Sequence, residues 1–174
     1  FRVDVKAPSP TQELKLIPNL ALEDAQQILF NNTNGEYQIQ KMESDWYLLT
    51  PHKVKVNQSF IKKLISSFQN AKIIKQIAED KNNITNLNFS HPTEITFILN
   101  NGKQLNFKVG LVNSIDKTAY IRPALQGSIS HVDSFDVSLE NINYQELLEK
   151  NIFTFDLSNL VTISFSPTSS SAPD

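Results

Sequence analysis

Short stretches in which hydrophobic and polar residues alternate predict β-strands along most of the chain. The first strands form a small meander, with a tight turn at Asn34-Gly35. A clearer hairpin turns at Asn100-Asn101-Gly102, because Asn-Gly supplies the positive φ angles that a two-residue primed turn requires. The predicted strands are residues 26–30, 37–41, 46–49, 71–80, 94–99, 104–109, 119–122, 128–132 and 160–165.

Helical spacing is clear in one segment, where Asn57 is a good N-cap and hydrophobic residues recur every three to four positions. These residues are Phe60, Ile61, Leu64, Ile65 and Phe68. A short second helix is predicted over 143–150, whereas 71–80 suits a helix or a strand and the strand is favoured. The pattern predicts an α+β domain: antiparallel hairpins and a meander packed against one main helix and a short second one. The stripe formed by Phe60, Leu64 and Phe68 is expected to cover one sheet face.

The two ends of the chain differ in composition from its middle. The first ten residues, FRVDVKAPSP, contain two prolines, and the last eight, PTSSSAPD, are rich in Ser and Pro, so both ends are predicted to be linkers. The predicted organisation is a tether over 1–18, a single module over 19–166 and a disordered tail over 167–174. The chain begins with Phe1 rather than Met, so a preceding leader or anchor is expected.

Composition excludes several classes of chemistry. The 16 Lys and Arg residues against 18 Asp and Glu give a net charge of -2, which does not favour nucleic-acid binding. There is no cysteine, so disulfides, thiol nucleophiles, zinc-thiolate sites and iron–sulfur clusters are excluded. The 4 glycines are too scattered to form a phosphate-binding loop, and no cofactor is predicted. No apolar run approaches the ~18 residues of a membrane span.

Residues suited to catalysis do not form a recognisable motif. His52, His91 and His131 are far apart, and none has a second histidine at metal-ligand spacing. Ser130, His131 and Asp133 are nearly adjacent, but strand alternation sends Ser130 and His131 to opposite faces, which is the wrong geometry for a triad. Asp133 and Asp136 are a candidate acid pair, although solvated side chains are the favoured explanation for them. Neither catalytic nor metal-binding residues are predicted.

The order of several motifs resembles a known bacterial family. DWYLLTP at 45–51 precedes the helix FIKKLISSF at 60–68, and the hairpin ITFILNNGKQLNFKVG at 95–110 precedes TAYIR at 118–122. Leu147-Leu148-Glu149-Lys150 then supplies a closing segment. Over residues of about 20–155, this order resembles the domain of unknown function 4340 family.

The resemblance implies a packing role for the matched positions. These positions are Trp46, Pro51, Gly102, Gly110, Tyr120 and Arg122. Members of that family resemble envelope proteins with an N-terminal membrane anchor or signal, and some accompany an ABC-type transport system of gliding motility. An accessory or scaffold role in the periplasm is therefore implied, with membrane-complex proteins or ABC transporter components as partners. Trp46 is expected to be a core anchor beneath the main helix rather than an exposed hot spot.

Three functional hypotheses remain open from the sequence. The first is a non-enzymatic extracytoplasmic module that docks on a membrane complex or on envelope polymer, anchored through a missing N-terminal segment. The second is an envelope glycan hydrolase that uses an acidic pair such as Asp133 and Asp136. The third is a carrier whose sheet and helix enclose a small apolar ligand. The first hypothesis is preferred.

Overall fold

The computed structural model describes residues 14–17, 24–124, 127–139 and 142–149. The predicted strand at 160–165, the tail at 167–174 and most of the tether at 1–18 lie outside these residues, so the predicted domain boundaries stay predictions. The described elements are β1 (Ala25–Asn32), β2 (Gly35–Met42), β3 (Asp45–Thr50), β4 (Val54–Lys55), α1 (Gln58–Asn70), β5 (Lys72–Ala78), α2 (Lys81–Asn86), β6 (Thr93–Leu99), β7 (Gln104–Asn113), β8 (Thr118–Pro123), β9 (Ser128–Asp133) and α3 (Tyr144–Leu147).

All nine described strands belong to one antiparallel sheet, in the order β4-β3-β2-β1-β6-β7-β8-β9-β5. Strands hold 50% of the described residues, whereas helices hold 19%. The predicted α+β class, with hairpins packed against a main helix and a short second one, is therefore wrong. Hairpin signals are local, and nothing local indicates that β1 pairs with β6 or that β5 pairs with β9, the two pairings that merge the hairpins into one sheet.

The individual elements agree better with the sequence. The helix predicted after Asn57 is α1, and the Asn57 side chain accepts a hydrogen bond from the Phe60 N–H. The strand favoured at 71–80 is β5. Only one turn of the helix predicted at 143–150 forms within the described residues, as α3, because the backbone at Leu148 is extended. The sequence analysis did not predict α2, which begins after the cap Asp80.

The β6–β7 hairpin is confirmed, but its predicted turn type is wrong. Three residues form the loop, since the Leu99 N–H donates to the Lys103 carbonyl and the Gly102 N–H donates to the Leu99 carbonyl. Gly102 has a φ of 78°, and neither Asn100 nor Asn101 has a positive φ. A left-handed glycine that closes a three-residue loop is the next commonest solution after the two-residue primed turn.

Helix α1 joins the two edge strands of the sheet, which forces the sheet to curve. In a flat sheet, eight strand spacings of about 4.8 Å would place β4 and β5 about 38 Å apart. The 13 residues of α1 span about 20 Å, and the few flanking residues add about 14 Å at full extension. The connection is too short for a flat sheet, so the sheet curls around α1.

The core lies between α1 and the concave face of the sheet. Ile61, Leu64 and Phe68 of α1 are buried, whereas Phe60 is only half-buried, so the buried stripe differs by one residue from the predicted one. The Phe68 ring lies 5.1 Å from that of Phe97 on β6, measured between centroids. The strands contribute alternate residues to this core, as the period of a strand requires.

Among the described parts of the chain, the segment that contains α2 packs against the convex face at β7. The Leu111 N–H donates to the Leu87 carbonyl at 2.9 Å, and Phe89 packs against Gly110. Phe89 and Ile129 are buried without belonging to the main core cluster. The rest of this face, over β2, β1 and β6, carries partly exposed side chains.

Short extended segments pair with part of each sheet edge. Lys15 bridges to Lys72 on β5, and Leu16 and Ile17 are buried in the core although they fall within the predicted tether. At the other edge Leu148 bridges to Val56, just after β4. None of the described helices is long and apolar enough to cross a membrane.

Candidate functional site

Trp46 and Pro51 lie at the β3 end of the sheet. Trp46 is 7% exposed and belongs to the core cluster, as expected for a core anchor. The Gln58 side chain, on the first residue of α1, accepts a hydrogen bond from the Trp46 N–H and donates to the Trp46 carbonyl. Pro51 is exposed, follows β3, and is preceded by a cis peptide bond. This end of the sheet therefore fixes where α1 begins.

Gly102 and Gly110 occupy opposite ends of the β6–β7 region. Gly102 closes the exposed hairpin loop, where its left-handed backbone suits glycine. Gly110 is buried in β7, and a Cβ atom there would lie 2.1 Å from the Leu87 carbonyl oxygen and 2.9 Å from the Phe89 ring. Gly110 thus permits the α2 segment to approach the sheet.

Tyr120 and Arg122 lie on β8 and face away from the main core. The Tyr120 ring stacks on His131 with 4.5 Å between centroids and 10° between the ring planes. Arg122 forms an ion pair with Glu79 at 3.0 Å, and both side chains are only partly exposed. The six motif positions therefore lie in several parts of the sheet rather than in one site.

The candidate acid pair, Asp133 and Asp136, is not brought into one cleft of the described structure. Asp136 lies between Lys63 and Lys117, with carboxylate oxygens 3.6 Å and 3.5 Å from their ammonium nitrogens. It borders a depression of about 440 Å³ that is lined by Lys15 and other residues but not by Asp133. Among the described residues, no group of three or more His, Asp or Glu side chains is placed to hold a metal ion.

The Ser130-His131-Asp133 cluster is split between two faces, as strand alternation predicts. Ser130 is fully buried, whereas His131 stacks on Tyr120 on the opposite face. The Ser130 hydroxyl has no hydrogen-bond partner among the described residues. A buried hydroxyl without a partner carries an uncompensated desolvation cost.

Replacing Ser130 with alanine is therefore expected to raise the free energy of unfolding by about 1 kcal/mol. Urea denaturation followed by circular dichroism measures the change. Ser128→Ala is the matched control, because the Ser128 hydroxyl on the same strand donates a hydrogen bond to Gln76 and its loss gives no gain. A destabilised Ser130→Ala variant would show that this hydroxyl has a partner.

The place where a carrier's pocket was expected is filled by aromatic side chains. Between α1 and the sheet, the Phe68 ring lies 5.0 Å from Phe107 and 5.2 Å from Phe135, measured between centroids. Phe68 and Phe135 are fully buried. This packing leaves that part of the interior to side chains.

The convex face carries a regular array of polar side chains over β2, β1, β6 and β7. The pairing register aligns three rows, each with one residue from every strand. The rows are Gln40-Gln27-Ile98-Gln104, Gln38-Leu29-Thr96-Asn106 and Glu36-Asn31-Glu94-Lys108. We call these twelve residues the outer grid. Its sides measure about 14 Å along and across the strands.

Carboxamides make up half of the outer grid. This share is larger than in the whole chain, which has 18 Asn and 11 Gln among its 174 residues. Asn31 donates to Glu36 at 3.4 Å. The other five carboxamides form no hydrogen bond through their side chains to described residues. They are those of Gln27, Gln38, Gln40, Gln104 and Asn106. Each carboxamide has two N–H donors and an acceptor oxygen, so the grid offers dense unused hydrogen-bonding capacity.

A depression of about 350 Å³ lies over part of the outer grid, with lining residues from both sides of β1. Leu29 is 38% exposed at its centre, between Gln38 and Thr96. Glu36 and Glu94 also line it. Glu94 forms an ion pair with Lys108 at 2.5 Å, so one of the two carboxylates is neutralised locally.

Lys53 and Lys55 lie beside the first row of the grid. Tyr47 on β3 pairs with Gln40, and the Lys53 ammonium lies 5.7 Å from the centroid of the Tyr47 ring. Lys55 binds Asp45 at 2.7 Å, and this hydrogen bond raises the pKa of Lys55 above its usual value. Asp45 therefore offsets the charge of Lys55 beside the first row.

Comparison with known families assigns the chain. The sequence model of a family described as a domain of unknown function (DUF4340) matches residues 46–172. The chain belongs to the DUF4340 family. All six motif positions lie within the DUF4340 match, whereas β1 and β2, which carry half of the outer grid, precede it. No curated protein and no solved structure matches the chain.

The sequence analysis missed the outer grid. Alternating glutamines at 38 and 40 and alternating polar residues at 104 and 106 were a local signal for a polar strand face. The grid itself depends on β1 pairing with β6, which brings together a strand that precedes the DUF4340 match and a strand within it.

Proposed function

We propose that the chain is a non-enzymatic binding or scaffold module of a membrane-anchored bacterial envelope protein, and that the outer grid is its docking surface. One observation carries the proposal: five carboxamides on one open sheet face have no side-chain hydrogen bond within the described structure. The extracytoplasmic location and a partnership with an ABC-type transport system are supported only by the family resemblance.

The contrast with other polar groups strengthens the assignment to this face. Arg122 is paired with Glu79, and Asp136 lies between two lysines, so their charges already have partners within the fold. The carboxamides of the outer grid, in contrast, retain donors and acceptors that a partner can use. Polar groups with unused hydrogen-bonding capacity supply specificity when a partner covers them.

Site-specific photocrosslinking in the cells that produce the protein tests the proposal. A photoreactive residue replaces Thr96, near the middle of the outer grid, in the full-length protein. The matched control places the same residue at Ser66 on α1, which is partly exposed to a similar degree. We expect a crosslinked species of higher mass from position 96 and none from position 66.

Two outcomes would contradict the proposal. Equal crosslinking from both positions would show that the grid is not a preferred surface. Absence of any adduct at position 96, or an adduct only with the chain's own residues, would show that no partner docks there. Mass spectrometry of the adduct distinguishes a protein partner from a polysaccharide.

A further inference from the structure

We propose that the ligand of the outer grid is an uncharged polysaccharide, which binds across β2, β1, β6 and β7. This inference rests on the proposed function, because it names the chemical class that the docking surface recognises. It follows from the balance of hydrogen-bonding groups, apolar area and charge in the twelve residues.

The unused carboxamides of the grid suit the hydroxyl groups of a sugar. Sugar hydroxyls both donate and accept, and neighbouring hydroxyls match the paired N–H and oxygen of a carboxamide. The first row places Gln40 beside Gln27, and the same row ends in Gln104. A chain that crosses the strands therefore meets unused carboxamides repeatedly along its length.

The grid and its border also offer apolar area to a sugar ring. Sugar rings also have faces made of C–H groups, which pack against flat aliphatic or aromatic surfaces. Ile98 lies between Gln27 and Gln104 in the first row, and Leu29 lies beside Gln38 in the second. Tyr47, which pairs with Gln40, extends the first row with an aromatic ring. Two of the three rows thus place one apolar side chain a single strand spacing, about 4.8 Å, from a carboxamide.

The outer grid carries few charged side chains. Among the grid residues, only Glu36, Glu94 and Lys108 are charged, and two of these three are paired with each other. The remaining carboxylate, on Glu36, repels an anionic polymer at short range. A surface whose capacity lies in neutral amides favours a neutral ligand over a nucleic acid, a uronic-acid polymer or a sulfated glycan.

The shape of the site agrees with an extended ligand. The depression over the grid runs from Thr50, the last residue of β3, to Glu94 on β6, and its volume is about 350 Å³. Six of the twelve grid residues line it, and the first row lies outside it, so a ligand that also reaches the first row must extend beyond the depression. A ligand confined to the depression would leave the other six grid residues unused.

Affinity electrophoresis tests the inference with defined probes. Native gels contain a soluble glucan, a galactomannan or chitin oligosaccharides as neutral probes, and polygalacturonate as the charged comparator. We expect at least one neutral probe to retard the protein and polygalacturonate to retard it less. Failure of all three neutral probes, or stronger retardation by polygalacturonate, would overturn the inference.

Variants assign the binding to the grid. Q38A/N106A removes two unused carboxamides from the middle row, and we expect its affinity to fall about tenfold, as for two lost hydrogen bonds. N82A/Q145A is the matched control, since it removes one exposed Asn and one exposed Gln from α2 and α3. Equal losses in the two variants would overturn the assignment.

The inference and the proposed function fail in different ways. If position 96 crosslinks to a protein and no neutral probe binds, the docking surface stands and the polysaccharide is wrong. If neither partner nor probe binds, both are wrong. Circular dichroism and thermal unfolding confirm that each variant is folded before its affinity is measured.

Discussion

Replacing Phe68 with alanine is expected to lower the free energy of unfolding by about 3–5 kcal/mol. Phe68 is fully buried, and its ring contacts those of Phe97, Phe107 and Phe135 at centroid distances of 5.0–5.2 Å. These contacts join α1 to β6, to β7 and to the segment after β9. Removing the ring leaves a cavity between α1 and these three elements.

Urea denaturation of Phe68→Ala and Phe60→Ala measures this effect. Phe60 lies on the same helix but is only half-buried, so the same chemical change there is expected to cost less than half as much. Similar losses for the two variants would mean that the aromatic cluster adds nothing to ordinary burial. A loss below about 1 kcal/mol at Phe68 would contradict the packing described for α1.

Replacing Gly110 with alanine is expected to lower the free energy of unfolding by about 3 kcal/mol, the upper end of the usual cost of overpacking. The added methyl group would lie 2.1 Å from the Leu87 carbonyl oxygen. That oxygen is fixed, because it accepts a hydrogen bond from the Leu111 N–H. The segment that contains α2 must therefore move away from β7, which exposes Phe89.

Thermal unfolding compares Gly110→Ala with Gly127→Ala. A Cβ atom at Gly127 meets nothing within 4 Å, and its φ is not in the left-handed range, so this control is expected to unfold at the wild-type temperature or slightly above it. Hydrogen exchange locates the damage, and we expect faster exchange in residues 81–90. An unchanged unfolding temperature for Gly110→Ala would contradict the close contact with Leu87.

The sequence was a good guide to elements whose signals are local. Asn57 and the hydrophobic spacing after it predicted α1, and alternation on both sides of Asn100 to Gly102 predicted the hairpin of β6 and β7. The prediction went wrong where strands meet over long distances. The pairing of Ile28 with Phe97 joins two hairpins into one sheet, and neither residue's neighbours encode its partner.

The candidate site was less predictable than the fold for the same reason. A glutamine on a strand face is an ordinary solvated residue until the register places others beside it. Gln27 gains Gln40 on one side and Ile98 on the other only after β1 has paired with both β2 and β6. The motif residues, by contrast, could be recognised in the sequence because each one has a role in local packing or in a turn.

The strand order also has a consequence for how the chain folds. Lys72 pairs with Asp133, so β5 pairs with β9 across the three strands that lie between them in the sequence. Closing such long loops costs entropy before any contact offsets it, and domains with these pairings fold in milliseconds to seconds. Until β5 pairs with it, β9 has an unpaired edge, and a chaperone that shields this edge would raise the yield of native protein.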